Sequence, residues 1–239
     1  MTELKDFKIK IYSDGANIDD MRHDAQYDFV SGFTTNPSLM KAAGVTDYLT
    51  FAKQVVSELG DYDISFEVFG QDDDTMLKEA EILTKLGDKV FVKIPIITTD
   101  GKSTAPLIKK LSEADVALNV TAITTLDQVK EASEAFKPGS RNIVSVFAGR
   151  VADTGADPIP LMKESLAITQ QYSGTELLWA STREVFNIVE AERLGVDIIT
   201  VPPTILKKLE SFGKSAQDVS LDTVKGFEKD IQASGLSIL

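Results

Sequence analysis

Eight short runs rich in β-branched and aromatic residues recur along the chain, each followed by a longer segment with helical spacing. The runs cover residues 9–13, 29–33, 64–68, 90–97, 116–120, 143–147, 177–180 and 198–201. Helical spacing falls between them, at 46–59, 75–86, 104–111, 126–135, 160–170 and 184–193. Strand and helix alternating in this way is the pattern of a parallel α/β fold. Eight units in 239 residues is the size of a closed (β/α)8 TIM barrel. A doubly wound open sheet shares the alternation, but no Gly-rich dinucleotide fingerprint follows the first run. No Pro/Gly/Ser-rich linker or charge block divides the chain, so the expectation is a single-domain TIM barrel over 1–239. Gly60, Gly87 and Gly195 end helical segments, where a left-handed residue is expected.

The charge balance narrows the function. Twenty-five basic residues against 37 acidic ones give a net charge of −12, which argues against nucleic acid or an anionic membrane as partner. A phosphorylated small molecule would need a local arginine cluster. With no cysteine there are neither disulfides nor thiolate metal sites, and a cytoplasmic location is expected. Residues 1–7 lack the apolar core of a signal peptide, and no later stretch has the length of a membrane span. The single histidine, His23, lies in a polar stretch and is expected on an exposed helix. Histidine-based zinc sites and histidine-paired serine nucleophiles therefore lack their partners. An all-oxygen magnesium site at Asp72, Asp73 and Asp74 stays open, although three acids there suit the first turn of a helix. Gly101-Lys102-Ser103 resembles the tail of a phosphate-binding loop, but the glycine needed five residues earlier is Ile96.

Lys93 lies within the apolar run 90–97. Burial disfavours an ammonium, and a lysine that has lost its proton can attack a carbonyl to form a Schiff base. An edge-strand lysine that snorkels to water is the competing reading. In a closed barrel the site is built from the C-terminal strand ends and the loops after them. Those positions carry Asp14, then Asn36, Glu67, Lys93, Asn119 with Thr121, Ser145 with Arg150, and Ser181 with Arg183. Carboxylates, one lysine, amides, hydroxyls and arginines at one barrel mouth suit a polyhydroxylated, phosphorylated carbonyl compound.

These residues lie in the segments Asp14-Gly15-Ala16-Asn17, Gly32-Phe33-Thr34-Thr35-Asn36-Pro37-Ser38-Leu39, Val92-Lys93-Ile94-Pro95, Asn119-Val120-Thr121, Gly149-Arg150-Val151-Ala152-Asp153 and Ala180-Ser181-Thr182-Arg183. In this order they resemble the transaldolase family, specifically its short-subunit branch that also holds the fructose-6-phosphate aldolases. The resemblance implies a TIM barrel in which Lys93 forms a Schiff base with a ketose phosphate such as fructose 6-phosphate or sedoheptulose 7-phosphate. It implies that Asp14 takes the C4 hydroxyl proton as the C3–C4 bond breaks, and that Glu67 with Thr121 positions a water for carbinolamine dehydration. Asn36, Asn119 and Ser145 would hold the dihydroxyacetone unit, and Arg150, Ser181 and Arg183 the phosphate. The unit would pass to an aldose phosphate, a pentose phosphate pathway reaction, with no metal or organic cofactor. Pentamers or decamers with an exchanged C-terminal helix are implied too, and residues 222–233 resemble that helix.

Two positions separate transfer from simple cleavage. Aldolase-type relatives tend to carry glutamine in place of Glu67 and tyrosine in place of Phe147; the transaldolases resemble this chain at both. A tyrosine hydroxyl can deliver a proton to the bound enamine, whereas Phe147 has none to give. Transfer is the expected activity, with fructose-6-phosphate aldolase chemistry or a related donor such as a sulfonated ketose as alternatives. Ser145-Val146-Phe147 and Asp14-Gly15-Ala16-Asn17 depart from the Ser-Pro-Phe and Asp-Thr-Ala-Asn common in the family.

Overall fold

A computed structural model describes residues 6–238. Residues 1–5, part of the stretch considered for a leader, lie outside the described residues. The first half of the chain runs β1 (Lys10–Asp14), α1 (Ile18–Asp24), β2 (Val30–Thr34), α2 (Pro37–Ala42), α3 (Tyr48–Leu59), β3 (Asp63–Glu67), α4 (Asp73–Leu83) and β4 (Val90–Pro95). The second half adds α5 (Ala105–Glu113), β5 (Leu118–Ile123), α6 (Leu126–Glu134), β6 (Asn142–Val146), α7 (Ala148–Ala152), α8 (Pro158–Thr169), β7 (Thr175–Trp179), α9 (Phe186–Leu194), β8 (Ile198–Val201), α10 (Pro203–Leu206) and α11 (Ala216–Ser234). Among the described residues eight parallel strands close into a barrel in sequence order, β8 pairing with β1. The expected (β/α)8 barrel is therefore present.

The strand boundaries move for reasons of pairing. The first two runs, expected at 9–13 and 29–33, each slide by one residue because Asp14 and Thr34 are backbone partners and extend the ladder. The fourth strand stops at Pro95, short of residue 97, and Ile97 instead meets Ser103 in an isolated antiparallel bridge. Gly195 follows α9 in the left-handed region at φ 77°, as expected. Gly60 leaves α3 at φ −64°, and Gly87 is extended at φ 176°, so neither uses glycine's left-handed freedom.

Two cores hold the layers. The larger lies between strands and helices and gathers Phe33, Phe66, Val92, Ile94 and Trp179 with Met76, Ile108, Val129, Met162 and Ile188. The smaller fills the lower barrel with Tyr12, Phe91, Ile143, Leu178 and Ile198. Side chains alternate across a strand, so the residue two places beyond each of these faces the same interior, nearer the C-terminal mouth. Those residues are Asp14, Lys93, Ser145, Ala180 and Thr200. The barrel interior thus changes from an apolar floor to a polar mouth within one pleat. Gly32 makes the floor possible, since a Cβ there would lie 2.6 Å from the Tyr12 ring. The Tyr12 hydroxyl donates to Asp63 (3.0 Å), and Arg141 pairs with Asp63 (3.1 Å) while lying over Phe91 at 4.7 Å.

No helix of the described residues is long and apolar enough to cross a membrane. The 19-residue α11 has no buried residue, and Leu221, Val224, Phe227 and Ile231 along it are all more than half exposed.

Candidate active site

Lys93 is placed by β4, which is buried on both faces because helices cover its outer side. Its side chain is only 7 % exposed, and the ammonium nitrogen has two partners, Glu67 Oε2 at 3.0 Å and the Thr35 carbonyl at 3.0 Å. Glu67 and Lys93 are backbone partners across β3 and β4, so strand register alone brings carboxylate and amine together. The snorkelling alternative is excluded by this burial. The amine is not simply stranded among apolar groups either; a proton acceptor stands beside it.

Asp14, at the end of β1, is half-buried and takes the Thr34 hydroxyl at Oδ1 (2.8 Å). Burial pushes its carboxyl above the ordinary aspartate range; the Lys93 charge and the Thr34 hydrogen bond oppose that rise, and Glu67 adds to it. Thr34 Oγ1 also lies 2.5 Å from Thr200 Oγ1 at the end of β8. Neither threonine stands out by composition. Extending the strand-end rule to the eighth run points to Thr200, and the partnership follows only from barrel closure.

Asp14, Glu67, Lys93, Thr121, Asn36, Ser145, Phe147, Arg150, Ser181 and Arg183 all line one cavity of about 450 Å³ at the barrel mouth. Thr121 Oγ1 is buried without a protein partner, as suits a group kept for a ligand. The next residue, Ala122, is left-handed at φ 60°, and the β5–β6 register shifts between Val120 and Ile123. Asn36 Oδ1 accepts the Leu39 N–H (3.0 Å) and caps α2, which aims its amide nitrogen elsewhere. Asn119 is fully buried and lies behind the cavity wall. Its amide donates to Ser65 (2.9 Å) and its carbonyl accepts from Ser145 (2.6 Å), so it braces Ser145 from below.

Arg150, Ser181 and Arg183 line another part of the cavity wall. Arg183 forms a forked pair with Asp153, Nε to Oδ1 at 3.0 Å and Nη2 to Oδ2 at 2.5 Å, which leaves Nη1 outside the pair. That pairing raises the Arg183 pKa and lowers the Asp153 carboxyl below its usual range. Arg150 extends over the Phe147 ring at 5.7 Å. Ser181 is left-handed at φ 66°, and its carbonyl occupies the space a side chain on Gly149 would need, 1.7 Å from a Cβ built there. Backbone held off its preferred region marks a place where position has been favoured over ease. Asp72 caps α4 by accepting the Thr75 N–H at 2.9 Å, with Asp73 and Asp74 in the first turn. Among the described residues no group of three or more histidine, aspartate or glutamate side chains is arranged to hold a metal ion.

A buried lysine flanked by two carboxylates and faced by two arginines, at the C-terminal mouth of a closed barrel, defines an aldolase-type barrel site. Comparison with known proteins makes the class specific. Residues 11–238 match the family model described as Transaldolase/Fructose-6-phosphate aldolase, and the chain belongs to that family. A probable transaldolase of Sphingopyxis alaskensis is 34% identical over 231 residues, covering 96% of this chain and 100% of the relative. One from Methanococcus maripaludis is 35% identical over 202 residues, covering 84% and 89% respectively. The fold extends to more distant proteins: the crystal structure of 2,3-dimethylmalate lyase aligns with a TM-score of 0.57 at 12% identity, over 99% of this chain and 87% of that one.

Proposed function

We propose that the protein is a transaldolase that moves a dihydroxyacetone unit from a ketose phosphate to an aldose phosphate through a Schiff base on Lys93. The observation that carries this is the buried amine of Lys93, 3.0 Å from Glu67, in the same cavity as Asp14 and Thr121. Glu67 takes the ammonium proton, and the freed amine attacks the C2 carbonyl of fructose 6-phosphate or sedoheptulose 7-phosphate. Glu67 and Thr121 then manage the proton that leaves with carbinolamine oxygen as water. Asp14 accepts the C4 hydroxyl proton, the C3–C4 bond breaks, and its electron pair enters the iminium to give an enamine. The enamine attacks the incoming aldehyde, Asp14 returns the proton to the new hydroxyl, and water hydrolyses the adduct. A carboxyl held above its usual range suits a group that both accepts and gives a proton. The iminium is the electron sink, so the cycle calls for no metal or organic cofactor.

Phe147 supports transfer over release, because the wall it forms beside the intermediate offers no hydroxyl proton. Borohydride added with fructose 6-phosphate is expected to fix a reduced three-carbon fragment on Lys93, with turnover requiring an acceptor aldehyde and surviving chelation. Free dihydroxyacetone released at a comparable rate without acceptor would favour the aldolase reading.

Arg150, Ser181 and Arg183 form the phosphate grip in this reading, whereas a sulfonated ketose would present similar oxygens to them. Arg183→Ala is expected to raise KM for phosphorylated ketoses by about 10- to 100-fold, the loss of one charge-assisted contact. An equal rise for an unphosphorylated ketose would remove Arg183 from that role.

The exposed apolar side of α11 supports a homo-oligomer, pentamer or decamer, in which a second copy covers Val224, Phe227 and Ile231. Phe227→Glu is expected to shift the mass in analytical ultracentrifugation toward the monomer; an unchanged assembly would move the interface elsewhere. A cytoplasmic site for the pentose phosphate chemistry agrees with the cysteine-free composition, and cell fractionation checks it.

A further inference from the structure

Asp14 has two carboxyl oxygens, and Thr34 engages only Oδ1. Thr34 Oγ1 has one proton and two neighbours within reach, Asp14 Oδ1 at 2.8 Å and Thr200 Oγ1 at 2.5 Å. An ionised carboxylate can only accept, so Thr34 gives its proton to Asp14. The close approach of two hydroxyl oxygens then requires a proton between them, and Thr200 must supply it. The result is a one-way chain from Thr200 through Thr34 to Asp14 Oδ1. Thr34 and Thr200 are 3 % and 4 % exposed, which limits replacement of either bond by bulk water. The geometry comes from closure, since β1 lies between β2 and β8 and Thr34 and Thr200 approach its end from opposite sides. The Thr200 backbone is anchored separately, its carbonyl accepting the Thr182 hydroxyl at 2.7 Å.

We propose that Thr200 is a positioning residue for Asp14, holding the Thr34 proton on Oδ1 so that Oδ2 is the oxygen that exchanges protons with substrate. This rests on the reading of Asp14 as the acid–base group. Bonds in series polarise one another, so removing the far donor weakens the near one. The other charged groups at Asp14 are Lys93 from β4 and Glu67 from β3, with Arg150 and Arg183 further along the cavity wall that Thr200 also lines, and the hydrogen bonds of Thr200 go to Thr34 and Thr182 rather than to any of them.

Thr200→Val keeps the shape and removes the donor. Its kcat is expected to fall about three- to tenfold, the fold-change of one net hydrogen bond, with KM nearly unchanged and the acid limb of the kcat profile moved to higher pH. Thr200→Ser, which restores a hydroxyl, should return the limb to its original place, and borohydride labelling of Lys93 should be the same in all three proteins. If Val fails to fold, Thr200→Ala against Thr200→Ser makes the same comparison. An acid limb that does not move in Val or Ala, while Asp14→Asn is inactive, overturns the role of Thr200 and leaves Asp14 in place. Wild-type turnover in Asp14→Asn would instead overturn the reading of Asp14 on which it rests.

Discussion

Lys93→Met is expected to lower transfer turnover by at least about 10⁴-fold, the scale reached when a covalent nucleophile is removed. Methionine approximates the length of lysine and suits the buried strand but has no amine. No other lysine lines the cavity, so no neighbouring group takes over. The substitution also strands Glu67, which keeps Tyr48 only at its backbone carbonyl (2.8 Å) and loses its side chain's ion-pair partner. Glu67 retains 17 % exposure, so water softens that loss and the protein should fold, with a lowered melting temperature. Peptide mapping after borohydride should find label on Lys93 in the wild type and none in the variant. Turnover within tenfold of wild type, or label at another lysine, would end the Schiff-base assignment.

Asp14→Asn should separate the steps that Lys93→Met merges. The amide matches the carboxylate in size but cannot accept the C4 proton, and kcat is expected to fall by about 10²–10⁴-fold, the usual worth of a positioned general base. Schiff-base formation precedes that proton transfer, so borohydride should still label Lys93. The adduct changes: an intact six-carbon ketose phosphate should replace the three-carbon fragment, a difference read directly by mass spectrometry. A three-carbon adduct formed at the wild-type rate would take the proton transfer away from Asp14. Stability should move the other way from activity. Burial holds the folded-state carboxyl above its ordinary range, so stability present below the ordinary range is lost as pH rises through the raised value. Asparagine has no charge to bury and should melt higher than wild type near neutral pH, the gap closing in acid.

The β/α alternation, its eight units and the missing dinucleotide fingerprint were together enough to expect a closed barrel, because side-chain period, segment length and motif are local properties of the chain. Lys93 and the strand-end polar residues followed from the same periodicity. The partners of Asn119 were not legible: Ser65 and Ser145, which take up its amide, come from β3 and β6, and no spacing within its own strand reveals them. The forked pair between Asp153 and Arg183 likewise joins the end of α7 to the loop after β7. Gly60 and Gly87 show the same limit at a smaller scale, since a glycine permits a left-handed turn without requiring one.

Sequence by itself therefore determined the fold class and the placing of Lys93 on an apolar strand with polar residues at the strand ends, since these depend on residue type and on periods of two and 3.6 along the chain. Tertiary structure decided which polar groups face the cavity, which are already satisfied, and which hydroxyls meet one another. Those outcomes depend on distances between strands closed into a ring, as at Thr34 and Thr200, whose hydroxyls lie 2.5 Å apart although 166 positions separate them in the chain.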